Sequence, residues 1–290
     1  MVGGTRFIGP RVVRRLVRHG HEVAVFHRGQ HEAELPPQVR RFKDPRAAIP
    51  VVSIPAELRA YDPDVVCHMI AMGEEDAVAA REAFVDVARR VVLISSGDVY
   101  RAYGLFKGTE DGELEPTPLR ETAALRSRLY PYRLGAPAAS LEHFYDKVLA
   151  EKALAADRRL PVTILRLPNV YGPEDNANLW SVYNFRARPH WRWTHGYVEN
   201  VAHAIALAIE SEAATGRTYN VGEQTTPTMG ERLERLPARR DDPPPEPPGN
   251  FAQDIWYDTS AIRTELGYRE LVPEREAMLA VCRNALGPPR

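Results

Sequence analysis

The stretch Gly3-Gly4-Thr5-Arg6-Phe7-Ile8-Gly9 decides how the chain is read. It sets three glycines at a turn. The apolar positions Ile8, Val12, Val13, Leu16 and Val17 then recur at helical spacing, with arginines between them. Gly20 stops that helix, and the β-branched run in HEVAVFHRG (residues 21–29) reads as a strand. A glycine turn that opens a helix and is followed by a strand suits a pyrophosphate. Gly3 permits the tight turn, the free N–H groups and positive dipole end of the helix face the phosphates, and Gly9 lets neighbouring backbone come close. A lone glycine pattern is weak evidence; the order of the elements after it gives this one weight.

Working outward, residues 64–71 form an apolar run around Cys67, RRVVLISSGDVY (residues 89–100) is a third strand, and LPVTILRLPNVYG (residues 160–172) a fourth. Helical patterns over residues 75–90 and 141–157 precede the last two, with Ser140 as N-cap of the second. Residues 200–212 read as another helix, and GRTYNVG (residues 216–222) as a short strand. Strands alternating with helices predict an α/β fold, a Rossmann-like, doubly wound parallel sheet. The expected division is a dinucleotide-binding domain over residues 1–172 and a small C-terminal substrate lobe over 173–290, with some segments returning to the core.

One element is missing from this pattern. A buried strand takes about five or six residues, and only Met1 and Val2 precede the turn. The first strand is therefore expected to be truncated and the sequence to start late. The strands over residues 22–26 and 64–69 would each lose a neighbour, at about 1–3 kcal/mol per unsatisfied buried group.

The 290 residues are 44% hydrophobic and 27% charged, with a net charge of -1, the composition of a globular protein of one large domain or a core with a small lobe. That balance argues against a dedicated nucleic-acid binder. Cys67 and Cys282 read as reduced thiols. With no apolar run of membrane-span length and no export signal, the cytoplasm is expected and a membrane is not. No metal is expected. At the end of the second strand no acidic residue stands ready for an adenosine ribose. Arg28 stands there instead and could fork onto a 2′-phosphate, which favours NADP over NAD.

Seven short matches appear in order: GGTRFIG, PDVVCHM, VVLISSGDVY, LRLPNVYGP, GYVENVAHAIALA, YNVG and DTSAIRTELGY. Together they resemble the extended short-chain dehydrogenase/reductase family, the NAD-dependent epimerases and dehydratases, over nearly the whole length. The resemblance implies a cofactor-binding set of Gly3, Gly4, Thr5, Arg6, Phe7, Ile8, Gly9, Arg28, Asp44, Ala71, Lys147, Pro168, Asn169 and Val170. Arg6 departs from the pattern, standing where the middle glycine would be. Asp44 would touch the adenine, the strand end with Ala71 would run along the nicotinamide ribose, and Asn169 would contact nicotinamide and substrate. Ser96 would hydrogen-bond the reacting oxygen, with Tyr100 closing its motif.

The catalytic Tyr-x-x-x-Lys is broken. Lys147 remains, but four residues before it stands His143. Residues four apart share a helical face, so His143, Lys147 and Ser96 form the expected catalytic set, with His143 handling the proton. Tyr145 lies two positions from Lys147 and points away from it on a regular helix; it substitutes only if the register changes or the helix is distorted. Tyr130 and Tyr132 are further hydroxyl candidates.

The resemblance implies an NAD(P)-dependent oxidoreductase, epimerase or dehydratase acting on a hydroxyl or carbonyl of a small molecule, a nucleotide-sugar among them. Pairing through the Lys147 helix would give a homodimer. The alternative is a non-catalytic dinucleotide-binding relative, a sensor or scaffold, or an RNA-binding protein similar to the chloroplast stem-loop RNA-binding proteins. Arg11, Arg14, Arg15 and Arg18 would serve RNA, though a solvated helix face is the blander use. The segments after residue 173 and around residues 239–250 are short for the family. Trp180, Tyr183, Trp191 and Trp193 there line a pocket or simply pack.

Overall fold

Residues 1–44, 48–174, 181–236 and 246–286 are described by the computed structural model. Trp180 lies outside them, as do the side chains of Tyr183 and Cys282. The glycine turn leads into α1 (Ile8–Arg18), which buries Val12, Val13 and Leu16 and turns Arg14 and Arg18 to solvent. Strands β1 (Ala24–His27) and β2 (Arg40–Lys43) pair in parallel. The short α2 (Ala56–Arg59) precedes β3 (Val65–His68). Helix α3 (Glu74–Phe84) ends before the expected Arg90, because Arg90 already opens β4 (Arg90–Ser96). Helix α4 (Arg101–Lys107) follows.

The predicted helix over residues 141–157 is two pieces, α5 (Leu141–Phe144) and α6 (Lys147–Leu154). Asp146 is the N-cap of the second piece, its carboxylate accepting from the Val148 and Leu149 N–H groups. Ser140 precedes α5 without a side-chain cap bond. Strands β5 (Val162–Leu167) and β6 (Asn169–Tyr171) come next, then α7 (Ser181–Asn184), β7 (His195–Tyr197), α8 (Val198–Glu210), β8 (Thr218–Asn220), α9 (Met229–Arg235), α10 (Ser260–Leu266) and α11 (Glu274–Leu286).

Among the described residues the sheet has two blocks, β1-β2 and β3-β4-β5-β8, every pairing parallel. Val2 joins them, bridging Phe26 on one side and His68 on the other. The expected lost strand is thus replaced by one bridging residue. Met1 O accepts from Phe26 N and Val2 O from Met69 N, each at 2.9 Å. One face of the sheet packs on α1 and α8, through Val13, Leu16, Val201 and Ile205. The other packs on α3 and α6, through Ala80, Phe84, Ala150 and Leu154. The chain therefore returns from beyond residue 173 to build the core, with α8 on α1 and β8 beside β5.

A third apolar cluster lies beyond the sheet. Trp191 is buried, stacks on Phe106 at 4.9 Å and donates from its indole to the Gln253 carbonyl. Trp193 packs edge-on against Phe185. The two tryptophans serve packing. Among the described residues no helix is long and apolar enough to cross a membrane.

Candidate active site

The carboxyl ends of parallel strands are where a doubly wound sheet presents its loops, and the chemistry-bearing residues gather there. Gly3 and Gly4 both have positive φ, at 82° and 120°, which glycine adopts without steric penalty. A Cβ on Gly9 would overlap the Gly4 backbone. The turn is thus packed too closely for any side chain at that position. Phe7, in the N-cap position of α1, has φ 46° and offers no side-chain cap. Gly9 N donates to Arg6 O at 2.9 Å and Pro10 has no N–H, so among the first three positions of α1 only the Ile8 N–H is left to face an anion. Arg11 ties the turn to the rest of the site by donating to the Phe7 carbonyl at 2.6 Å and pairing with Glu199 at 2.9 Å. Arg6 is exposed, and Thr5 and Ile8 are half-buried.

Arg28 and Asp44 lie side by side where β1 and β2 end, since Asp44 N donates to His27 O at 3.2 Å. Arg28 is half-buried. Ala71, beyond the end of β3, gives its carbonyl to Lys147 Nζ at 2.6 Å, and Lys147 also donates to the Ile94 carbonyl at 3.0 Å. Burial pushes the Lys147 ammonium down to about 8, against the opposing pull of Asp98 and Asp76. His68 is fully buried with neither ring nitrogen partnered among the described residues; burial pushes it down to about 3, so it is neutral. Pro168, Asn169 and Val170 are half-buried at the start of β6, with Asn169 N donating to Thr194 O at 3.3 Å.

The break between α5 and α6 sets where His143, Tyr145 and Lys147 stand. His143 and Lys147 do not share a helical face, because α5 stops at Phe144 and the chain extends through Tyr145 and Asp146 before α6 begins. The His143 ring packs edge-on against Phe144, and its carbonyl accepts from Arg133. Among the described residues no contact joins the His143 ring to Ser96 or Lys147. Tyr145 instead turns inward. Its hydroxyl interacts with the side chains of Asp98 and Ser96, and Lys147 Nζ lies 5.9 Å from its ring centre. The distortion that Tyr145 requires is present.

Asp98 is buried in the short 3-10 turn after β4 (Gly97–Val99) and accepts from Tyr132 Oη at 3.1 Å. Desolvation pushes its carboxyl up. Burial, then the charge of Asp98, pushes Tyr145 well above the ordinary phenol range, so it carries its proton at neutral pH. Tyr132 joins this cluster, its ring 5.3 Å from that of Tyr145, whereas Tyr130 stacks on Arg133.

A buried ion pair holds the break. Arg126 donates to Asp146 at 2.9 and 3.2 Å, both side chains at most 1% exposed. Arg126 Nε also donates to Asp98 O at 3.0 Å, and Asp146 N to Met72 O at 2.8 Å. A Cβ on Gly73 would press on the Phe144 carbonyl, so the chain at the break lies against the start of α3. Behind Ser96, Ser95 donates to Glu151, which Arg166 grips in bidentate fashion at 3.1 and 2.8 Å. Arg166 also donates to Tyr100 Oη, which donates to Asn220. Tyr100 therefore belongs to the support of β4.

Sequence reasoning passed over Asp98, Arg126 and Asp146. The signal for Asp146 was present: an Asp directly before the apolar-periodic run of α6 is an N-cap pattern. Reading residues 141–157 as one helix hid it. Arg126 gave no local signal, since it meets Asp146 across 20 residues.

No family model and no curated protein matches the sequence. Solved structures do match. The fold is shared with solved UDP-glucose 4-epimerases. A UDP-glucose 4-epimerase from Thermotoga maritima, solved with UDP-glucose, superposes with TM-score 0.69 at 18% identity, over 99% of this chain and 98% of that one. The Thermus thermophilus UDP-glucose 4-epimerase, solved with NAD, gives 0.66 at 22% identity, over 97% and 96%. The Bordetella bronchiseptica enzyme WbmG, solved with NAD and UDP, gives 0.69 at 16% identity, over 99% and 94%.

Proposed function

We propose that this protein is an NAD(P)-dependent oxidoreductase of the epimerase/dehydratase type, acting on an alcohol or carbonyl carbon of a nucleotide-sugar. The observation that carries this reading is the convergence of Ser96, Tyr145 and Lys147 at the carboxyl edge of the sheet, beside the glycine turn. The turn suits a dinucleotide, because a Cβ at Gly9 would fill the close approach and the α1 N–H groups have no acidic side chain in their first turn. Gly3, Gly4 and the start of α1 would hold the pyrophosphate, Asp44 and Arg28 the adenosine end, and Ala71, Lys147, Pro168, Asn169 and Val170 the nicotinamide end. When bound, the nicotinamide supplies a hydride acceptor or donor.

The protein's own groups do the rest. Ser96 Oγ hydrogen-bonds the reacting oxygen. Tyr145 Oη holds the proton beside it, with Asp98 and Tyr132 behind, and takes the role first expected of His143. Lys147 fixes the Ala71 and Ile94 carbonyls and keeps positive charge near the phenol. Arg28 supports a preference for NADP, and residues 173–290 would supply much of the substrate side.

A second reading, a dinucleotide binder without turnover, is favoured by one observation: Lys147 Nζ is buried and already committed to two backbone carbonyls. Calorimetric titration with NADPH and NADH, followed by absorbance assays with UDP-sugars, tests both. Saturable binding with turnover supports the enzyme. Binding without turnover across UDP-sugars supports the second reading, and no binding to either dinucleotide sinks both.

A further inference from the structure

Asp98 is a buried carboxyl two residues beyond Ser96, and its N–H donates to Ser96 Oγ at 3.3 Å across the turn. A Cβ on Gly97, between them, would overlap the Tyr257 hydroxyl, so the turn has no room for a larger residue. Asp98 Oδ2 accepts from Tyr132 Oη at 3.1 Å. Its Oδ1 is buried too and, among the described residues, accepts no such bond. One acceptor position on the carboxyl is thus left open. The Tyr145 hydroxyl interacts with Ser96 on one side and with Asp98 on the other. The polar groups therefore run in order: Ser96, Tyr145, Asp98, Tyr132, and then Tyr103 of α4, whose hydroxyl interacts with that of Tyr132.

This order has a chemical consequence. A phenol ordinarily loses its proton at about pH 10 and an aspartic acid at about pH 4. Where the two share a hydrogen bond at neutral pH, the phenol keeps its proton and the carboxylate accepts. Burial and the charge of Asp98 both hold Tyr145 in that neutral form. A neutral phenol takes a proton from an alcohol only as it gives up its own.

We propose that Asp98 is the proton acceptor of this site, working through Tyr145: as a substrate hydroxyl gives its proton to Tyr145 Oη, the Tyr145 proton passes to the Asp98 carboxylate. The proposal rests on the oxidoreductase reading above. In the oxidative direction the O–H and C–H bonds of the alcohol break and its C=O bond forms. The hydride, with its electron pair, goes to an oxidised nicotinamide, and the proton ends on Asp98. Tyr145 is a neutral phenol before and after. In the reductive direction the proton returns by the same route. Asp98 does not touch the substrate; it decides where Tyr145 can send its proton.

The groups that face Asp98 are Tyr145, Tyr132, Arg126, Lys147 of α6, Tyr103 of α4 and Tyr257. Burial opposes its charge, while the Tyr145 hydroxyl, Arg126, Lys147 and Tyr132 favour it. Oxidation needs the carboxylate, so it is lost as pH falls through the Asp98 value.

Asp98→Asn removes the acceptor at nearly constant size. The first readout needs neither cofactor nor substrate: carbon-13 NMR of Cζ-labelled tyrosines, with Tyr145 assigned through Tyr145→Phe. Tyr145 is expected to lose its proton at least ~1 pH unit earlier in D98N than in the unchanged chain, because a negative charge beside it is gone while Lys147 stays. The second readout is the pH profile of UDP-sugar oxidation at saturating dinucleotide. D98N should lower neutral-pH turnover at least ~tenfold and regain it as pH rises towards the phenol's own value. D98E should restore part of the neutral-pH turnover. Tyr132→Phe keeps the carboxylate but removes a hydrogen bond to its charged form, so the acid limb of the profile should move to higher pH; it serves also if D98N does not fold. An unchanged Tyr145 titration in D98N, a loss of turnover equal at every pH, or an unmoved acid limb in Y132F overturns the proposal and leaves the oxidoreductase reading standing. Absence of turnover in the unchanged chain overturns that reading, and the proton route with it.

Discussion

The two halves of the sheet are built to different standards. From β3 to β8 the strands pair over up to six successive residues, as β4 and β5 do between Val91–Val162 and Ser96–Leu167. From β2 to β1 four pairs form, and among the described residues Val2 is the one that bridges a strand of that block to a strand of the rest. The half holding Ser96, Tyr145 and Lys147 is continuous, cross-braced by the Arg126–Asp146 and Arg166–Glu151 pairs. The half bearing the glycine turn depends on close backbone packing. Under the proposed function, the placement of the reacting groups and that of the dinucleotide are therefore separable by mutation.

The largest expected effect lies in the continuous half. Tyr145→Phe removes the hydroxyl beside Ser96 and should lower turnover about 10²–10⁴-fold, while calorimetric NADPH affinity stays within about twofold because the turn is untouched. His143→Ala, measured alongside, should change turnover little. The opposite ranking would return the proton to His143.

Arg126→Met leaves Asp146 buried without its ion partner and should destabilise the fold by about 3–5 kcal/mol in urea melts. A loss below about 1 kcal/mol would show that the break between α5 and α6 stands without the pair.

A smaller effect belongs to the half joined by Val2. The Met1 ammonium titrates at about 6 in the folded chain, against a reference of 8.0, with burial the leading cause. A base with a lowered folded pKa is most stabilising above its unfolded pKa, and that stability is lost as pH falls through the folded value. The chain should thus lose about 2–3 kcal/mol between about pH 8 and pH 6. Cys67 is pushed up to about 12 and His68 down to about 3, both outside that window. Glu22, Asp64, Arg90 and His21 line, with Met1, a cleft at the amino ends of β1 and β3. They remain in an N-terminally acetylated chain, so the difference between the two chains isolates the amine. Superposable pH profiles would remove Met1 from the stability balance.

The smallest effect is selective. Arg28→Ala should weaken NADPH binding about tenfold, the worth of one charge-assisted contact, and leave NADH nearly unchanged. An equal loss for both would place Arg28 away from a 2′-phosphate.

Much of the fold was legible in the sequence. The order of turn, helix and strand predicted the parallel sheet, and the continuous apolar runs marked β3, β4 and β5 as its strands. The gap before Gly3 was visible too, though a single bridging residue was not. At the site, Ser96 and Lys147 were marked by their motifs and do meet in one cluster. Asp98 was hidden inside the motif that named its neighbour Ser96.

What the sequence determined by itself was local and periodic: element type, order, parallel connection, and the glycines where backbone approaches backbone. These depend on spacing along the chain, which sequence records directly. Tertiary structure decided which way Tyr145 and His143 point. That choice rests on Arg126, itself held by Asp98 O, and on Met72 O and Gly73, which meet Asp146 and Phe144 from distant parts of the chain. A helix that is continuous by propensity is interrupted there, where a buried arginine and a capping aspartate satisfy one another.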